Sequence, residues 1–318
     1  MKQTLFRMPE KASSKTRFTV KGLPFDLNST QMRGNTSIAP DHIRKVSDEI
    51  ALTTEDGSNI AKLPLADLGD IEINGPVNIK SLVDKLNAYH SEIFDLNPSV
   101  VPVYLGGNHL VTYPIIKTLI TGSGKYVANP PYLLALDAHL DFYDEWEGER
   151  FTHCTVMKRI YDSYPEDQRN KIMIIGPRDI DIEERDNVQT DSYLSMYSLF
   201  GREGTSVTSQ KGLIDSVSAF CRSHVDESET GIRPPLYISF DIDVMDPSVA
   251  PATGYPIPGG FSYWQVWNLF KKLSRQFNII GFDFVEYAPN LDAKNTMTGF
   301  LAVKLIIEII NFINKNRK

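Results

Sequence analysis

The chain has 318 residues, long for a single domain but within reach of an α/β protein built on one sheet, so one catalytic domain over 1–318 is expected. Its 40 acidic residues outnumber the 33 basic ones, and the net charge of −7 with no long basic run argues against a nucleic-acid partner. Cys154 and Cys221 form no CxxC pair, which excludes a disulfide framework or a thiolate zinc site and leaves oxygen and nitrogen to hold any metal.

The first ten residues lack the apolar core of a signal peptide, and no uninterrupted apolar segment looks long enough to span a bilayer, so a cytoplasmic protein without a membrane partner is expected. Residues 17–24 read as a short strand ended by Gly22 and Pro24, with a polar loop through Asn35. Pro40 suits the first turn of a helix over 40–52. Residues 64–70 form a second short strand, whose Asp67 and Asp70 mark a turn or support a neighbouring feature. Ile79, Leu82, Val83, Leu86, Ile93 and Phe94 recur at helical spacing across 78–96. A strand at 100–105 runs into Gly106-Gly107-Asn108-His109, and a helix follows over 111–121.

Strands at 132–137 and 171–176 flank a helix near 153–163, whereas 177–205 reads as mostly loop and 207–224 as helical. A strand at 236–241 opens into a Pro- and Gly-rich loop. Ser262 and Gln265 resemble a capping box starting a helix to about 275. A strand over 278–286 and an amphipathic helix over 298–314 close the chain. Alternating strands and helices predict an α/β protein, a three-layer α/β/α sandwich with a mainly parallel central sheet, its polar motifs beyond the strand C-terminal ends where such sheets build sites.

Three of those ends carry chemistry. Asp137-Ala-His139-Leu-Asp141 offers three ligands at period two, which an extended backbone would project from one face; Asp241 and Asp243, alternate residues of a strand, point the same way, and His109 follows its glycines. Burying four carboxylates is costly without compensation, and two divalent cations would neutralise them. Imidazole with carboxylate and no sulfur fits Mn²⁺ best and also admits Fe²⁺, Co²⁺, Ni²⁺ or Zn²⁺. Each motif taken alone is as readily a turn or a helix cap.

Together the motifs resemble those of the ureohydrolases, the arginase and agmatinase family. The residues are Leu105-Gly-Gly-Asn-His109, Asp137-Ala-His-Leu-Asp141 and Ser239-Phe-Asp-Ile-Asp-Val-Met-Asp-Pro247 with its continuation to Gly254, supported by Gly22-Leu-Pro-Phe-Asp26 and Asp283-Phe-Val-Glu286. The resemblance implies that residues matching His109, Asp137, Asp141 and Asp241 hold one Mn²⁺ and those matching Asp137, His139, Asp241 and Asp243 the second. It further implies that hydroxide held between the metals attacks a guanidinium carbon, releasing urea and an amine. Asp141 then orients the hydroxide, Glu286 pairs with the guanidinium and His153 shuttles protons. The family usually has Asp where this chain has Asn108, which bears on metal occupancy or preference. Homotrimers or homohexamers are expected by the same resemblance.

The loop 142–152 is expected to line the far end of the substrate. Asp144 and Glu145, with Glu147 and Glu149, would repel a carboxylate and attract an amine, opposed only by Arg150. The substrate expected is therefore a small cationic guanidino compound, agmatine, over arginine or another guanidino acid; a non-catalytic binding protein on the same fold is the remaining alternative.

Overall fold

The β-branched and aromatic runs become eight strands: β1 (Phe18–Leu23), β2 (Leu65–Asp70), β3 (Val101–Gly106), β4 (Tyr132–Leu136), β5 (Ile172–Ile175), β6 (Tyr193–Leu194), β7 (Pro235–Asp241) and β8 (Asn278–Val285). The computed structural model describes residues 3–26, 33–72, 77–121, 125–188, 192–201, 217 and 233–316. The strands join in one sheet in the order β2-β1-β3-β8-β7-β4-β5-β6, with every neighbouring pair parallel.

Seven helices are used below: α1 (Ala39–Ser47), α2 (Ile79–Leu96), α3 (Thr112–Ile120), α4 (Val156–Ser163), α5 (Ile182–Asn187), α6 (Tyr263–Gln276) and α7 (Met297–Asn316). Strand alternation sorts the core into two. Val101, Val103 and Leu105 of β3, and Leu236, Ile238 and Phe240 of β7, face a cluster built with α1, α6 and α7. Tyr104 and Tyr237, from the opposite pleats, face a cluster built with α2, α3 and α4. Helices therefore cover both sheet faces, and the central strands are buried along almost their whole length, as a parallel sheet requires. The three-layer expectation holds.

Several boundaries shift for local reasons. The helix expected over 40–52 stops at Ser47, whose hydroxyl accepts from Phe6 N at 2.9 Å, and the chain turns back into a bridge between Thr53 and Asn59. Asp67 and Asp70 grip buried Arg44, with Arg44 Nε 2.8 Å from Asp67 Oδ2 and Nη1 2.6 Å from Asp70 Oδ1. Ser262 does open α6 through a capping box, Ser262 N donating to Gln265 Oε1 at 2.8 Å.

The stretch read as loop at 177–205 contains α5, the two-residue β6 and a π-helical turn over Tyr197–Gly201. β6 is too short for a periodic signal and exists by pairing with Ile174 and Ile175. The helix expected at 207–224 lies outside the described residues apart from Val217. One helix among the described residues, α7, is long and apolar enough to cross a membrane, with hydropathy 1.6. Lys304 and Glu308 interrupt its apolar run in the sequence, which is why no such segment was expected there. Inside the protein 72% of that stretch is buried, as in a core helix.

The sheet order makes β3, β8, β7 and β4 consecutive neighbours. Their C-terminal ends deliver His109, Glu286, Asp241 with Asp243, and Asp137 through Asp141 to one edge.

Candidate metal centre

The six expected ligands meet at that edge. His109 Nδ1 lies 2.9 Å from Asp141 Oδ2, 3.0 Å from Asp137 Oδ2 and 3.4 Å from Asp241 Oδ2. His139 Nδ1 lies 2.9 Å from Asp243 Oδ2 and 3.5 Å from Asp137 Oδ1. Asp137 thus belongs to both groups. In each of the sets His109/Asp137/Asp241 and Asp137/His139/Asp243, one donor atom per residue falls within 4.8 Å of the others.

The backbone route to this convergence differs from an extended pleat. β4 ends at Leu136, before any ligand, and β7 ends at Asp241, with Asp243 on a 3-10 turn over Ile242–Val244. Carboxylate oxygens then hold the turns: His139 N donates to Asp137 Oδ1 at 2.7 Å, Ala138 N to Asp243 Oδ1 at 2.9 Å and Asp243 N to Asp241 Oδ1 at 2.8 Å. At Gly107 a Cβ would come within 2.2 Å of Phe25 O, so only glycine lets the chain pass before His109. Asn108 is buried beside it, its N–H donating to Phe25 O at 3.1 Å.

Charge is the unsolved problem of the cluster. Burial, then the charges of Asp243 and Asp137, hold the Asp241 carboxyl well above the usual carboxylate range. Burial and Asp137 push Asp141 up to about 6. Burial opposes protonation of both imidazoles, yet neighbouring carboxylates outweigh it, Asp137 and Asp141 at His109 and Asp243 and Asp137 at His139. Asp137 Oδ2 is buried with no hydrogen-bond partner among the described residues, although it lies 3.0 Å from His109 Nδ1. Excess buried negative charge, an orphaned carboxylate oxygen and paired imidazoles make a donor set that fits divalent cations.

Two further site residues carry backbone strain. Asp141 has φ +50° and Glu286 φ +63°, a region that L-residues rarely adopt. Glu286 lies beside His109, accepting from its N–H at 2.6 Å through Oε1, and burial pushes its carboxyl up to about 8. Behind His109, Nε2 meets Ser239 Oγ at 3.0 Å, and Ser239 donates to buried Asp283 at 2.7 Å. This support fixes the ring from the side away from the carboxylates.

A cavity of about 290 Å³ opens beside the cluster, lined by His139, Asp141, Tyr143, Trp146, His153, Cys154, Asp179, Ile180, Asp181, Glu184 and Tyr255. His153 is on its wall, as expected, and burial pushes its imidazole down to about 4. Burial likewise pushes the Cys154 thiol up, so it stays protonated.

Apart from Asp141, the acidic residues on the wall are not the expected ones. Asp144 turns outward, its Oδ1 2.6 Å from Arg159 Nη2 and 3.7 Å from Arg150 Nη2, and exposed Glu145 does not line the cavity. The reciprocal bridge between Trp146 and Glu149 folds this loop so that Tyr143 and Trp146 face inward. The wall instead carries Asp179, Asp181 and Glu184, in the stretch read as mostly loop. Ala138 O accepts from Arg178 N at 2.8 Å and Phe142 N donates to Glu184 Oε1 at 2.8 Å, which ties this segment to the β4 ligand loop. Asp179-Ile-Asp181 follows a strand at period two, the pattern that singled out Asp137 and His139, and could have been found by it.

The family model for the arginase family matches residues 16–311. The chain belongs to the arginase family. Among relatives in this family, an agmatinase of Pyrococcus horikoshii is 29% identical over 294 residues, covering 92% of this chain and 90% of that protein. An N(1)-aminopropylagmatine ureohydrolase of Thermococcus kodakarensis is 30% identical over 308 residues, covering 96% and 93%. The crystal structure of agmatine ureohydrolase of Thermoplasma volcanium superposes with a TM-score of 0.78 at 27% identity, covering 99% of this chain and 95% of that one. The fold and the hydrolase class are thus those of an arginase-family enzyme.

Proposed function

We propose that this arginase-family enzyme hydrolyses the guanidino group of agmatine to putrescine and urea at a binuclear metal centre. One observation carries the choice of substrate. Among the described residues the cavity wall presents the carboxylates of Asp179 and Asp181 and no lysine or arginine, so it suits an amine and opposes a carboxylate. Tyr143 and Trp146 supply apolar surface for a methylene chain between the two cationic ends.

His109, Asp137, Asp141 and Asp241 would hold one ion and Asp137, His139, Asp241 and Asp243 the other. The donor set favours Mn²⁺. Two such ions, when bound, supply a water-derived nucleophile near neutral pH. Glu286 receives the guanidinium: a carboxyl held up to about 8 by burial ionises against a planar cation and makes two parallel hydrogen bonds. Asp141, beside both the cluster and the cavity, accepts a hydrogen bond from the attacking water and sets its direction. His153 stays neutral at pH 7, so it can accept a proton and deliver it to the leaving nitrogen.

The test is a panel of agmatine, arginine, guanidinobutyrate and N1-aminopropylagmatine, with urea measured on the Mn²⁺-loaded protein. Agmatine should have a kcat/KM at least about 100-fold above arginine, since a carboxylate facing this wall loses about 3 kcal/mol or more. A preference for arginine would overturn the reading. Faster cleavage of N1-aminopropylagmatine would keep the acidic-wall argument and lengthen the substrate.

A further inference from the structure

We propose that Tyr255 is the positioning residue for His153, holding the imidazole by ring stacking where a hydrogen bond ordinarily would. The proposal rests on the reading of His153 as the proton carrier.

A histidine that moves protons is normally fixed through its second nitrogen. Two other buried histidines engage both ring nitrogens. His109 meets Asp141 through Nδ1 and Ser239 through Nε2, and His90 meets Thr118 and Tyr104. His153 differs, because its Nδ1 is buried with no hydrogen-bond partner among the described residues. The Tyr255 ring lies near it and almost parallel, with centroids 6.4 Å apart and planes 15° from parallel. Offset stacking at that separation is a normal attractive aromatic geometry. The same tyrosine meets His139 edge-on at 6.4 Å and 84°, so one ring bridges the metal cluster and the proton carrier.

The ring can serve as a reference because its loop is fixed at its base. Asp246 Oδ2 accepts from Gly259 N at 2.8 Å and Gly260 N at 3.2 Å, closing residues 246–260. Arg178 donates from Nε and Nη2 to Ile257 O at 2.9 and 2.7 Å, and also from Nη2 to Asp243 O at 2.6 Å, so the Tyr255 loop and the ligand turn share one anchor. The Arg33 guanidinium lies 6.0 Å from the Tyr255 ring centroid.

Tyr255→Ala and Tyr255→Phe should be compared with the parent on Mn²⁺-loaded full-length protein, using whichever guanidino compound of the panel the parent cleaves fastest. Tyr255→Ala should lower kcat about 10- to 100-fold, the scale set by small misplacement of a reacting group, with KM and bound Mn²⁺ nearly unchanged. Tyr255→Phe should restore kcat to within about 2-fold, and Tyr255→Ala should cost little more in a His153→Asn background. A change in KM alone, loss of bound metal, or a Phe variant as slow as the Ala variant would overturn the proposal. Crystal structures of parent and Tyr255→Ala read the same point without activity. His153 should leave its single rotamer in the variant, and an unmoved ring would overturn the proposal even if no panel compound is cleaved.

Discussion

Asp141 and Glu286 show what a single residue is asked to do here. Both are buried carboxyls at positive φ, a conformation costing about 1–3 kcal/mol at a non-glycine position, and both are held there by neighbours. Met157 N caps Asp141 O at 3.0 Å and Glu286 N donates to Gly107 O at 2.9 Å. Asp181 works in the opposite sense, by charge toward the cavity. Asp181→Asn should raise KM for agmatine about 10- to 100-fold with a smaller effect on kcat, the loss of one charge-assisted hydrogen bond, whereas Asp144→Asn should leave both constants nearly unchanged. Steady-state kinetics checks the pair, and equal effects would return the substrate contact to the 142–152 loop.

Glu184 also predicts a pH effect. Burial, with the charge of Asp141, raises its carboxyl to about 8 against an ordinary value near 4.5. Its protonated form is therefore the stabilising one, fully present below about pH 4.5 and lost as pH rises through 8. Thermal melts of the metal-free protein should show Tm falling across that window and a flatter profile in Glu184→Gln, by roughly 2–4 °C per kcal/mol. At this scale the sequence was most readable for the ligands, since Asp, His and Asp at strand ends have few other uses in combination. It was least readable for Asp144 against Asp181, because the facing of a charged loop depends on a turn and on Arg159, neither visible in spacing.

At the scale of elements, the N-terminal segment is tied on by one buried ion cluster. Asp67 accepts from Leu5 N at 2.6 Å, from Gly69 N at 3.0 Å, and from Arg44 Nε and Nη2 at 2.8 and 3.0 Å. Removing one partner leaves a buried charge uncompensated, so Asp67→Asn or Arg44→Met should destabilise by about 3–5 kcal/mol in urea denaturation. An effect below about 1 kcal/mol would show that the segment is held by Leu5 and Phe6 packing and the Phe6–Ser47 hydrogen bond instead. Elements with their own signals were legible: helical spacing gave α2 within a residue, and the Ser262–Gln265 box gave the start of α6. α1 ended early and β6 went unseen because tertiary partners, Phe6 and Ile174–Ile175, decided them.

For the whole molecule, the consequential fact is the sheet order. The sequence placed three ligand-bearing segments after three strands, and alternation with helices implied a parallel sheet, but which strands lie side by side is set by crossovers that leave no mark on composition. The order β3-β8-β7-β4 turns those separate segments into one site and brings Glu286 from β8 into its middle. The same convergence concentrates Asp137, Asp141, Asp241 and Asp243 with only two imidazoles, which is the ground for assigning two metals. Urea release from agmatine should therefore be titrated against added Mn²⁺ on metal-free protein, with bound metal counted at each point. Activity rising to a plateau at two ions per chain, and absent in Asp241→Ala, is the expected result; a plateau at one ion, or full activity in the metal-free protein, would contradict the account.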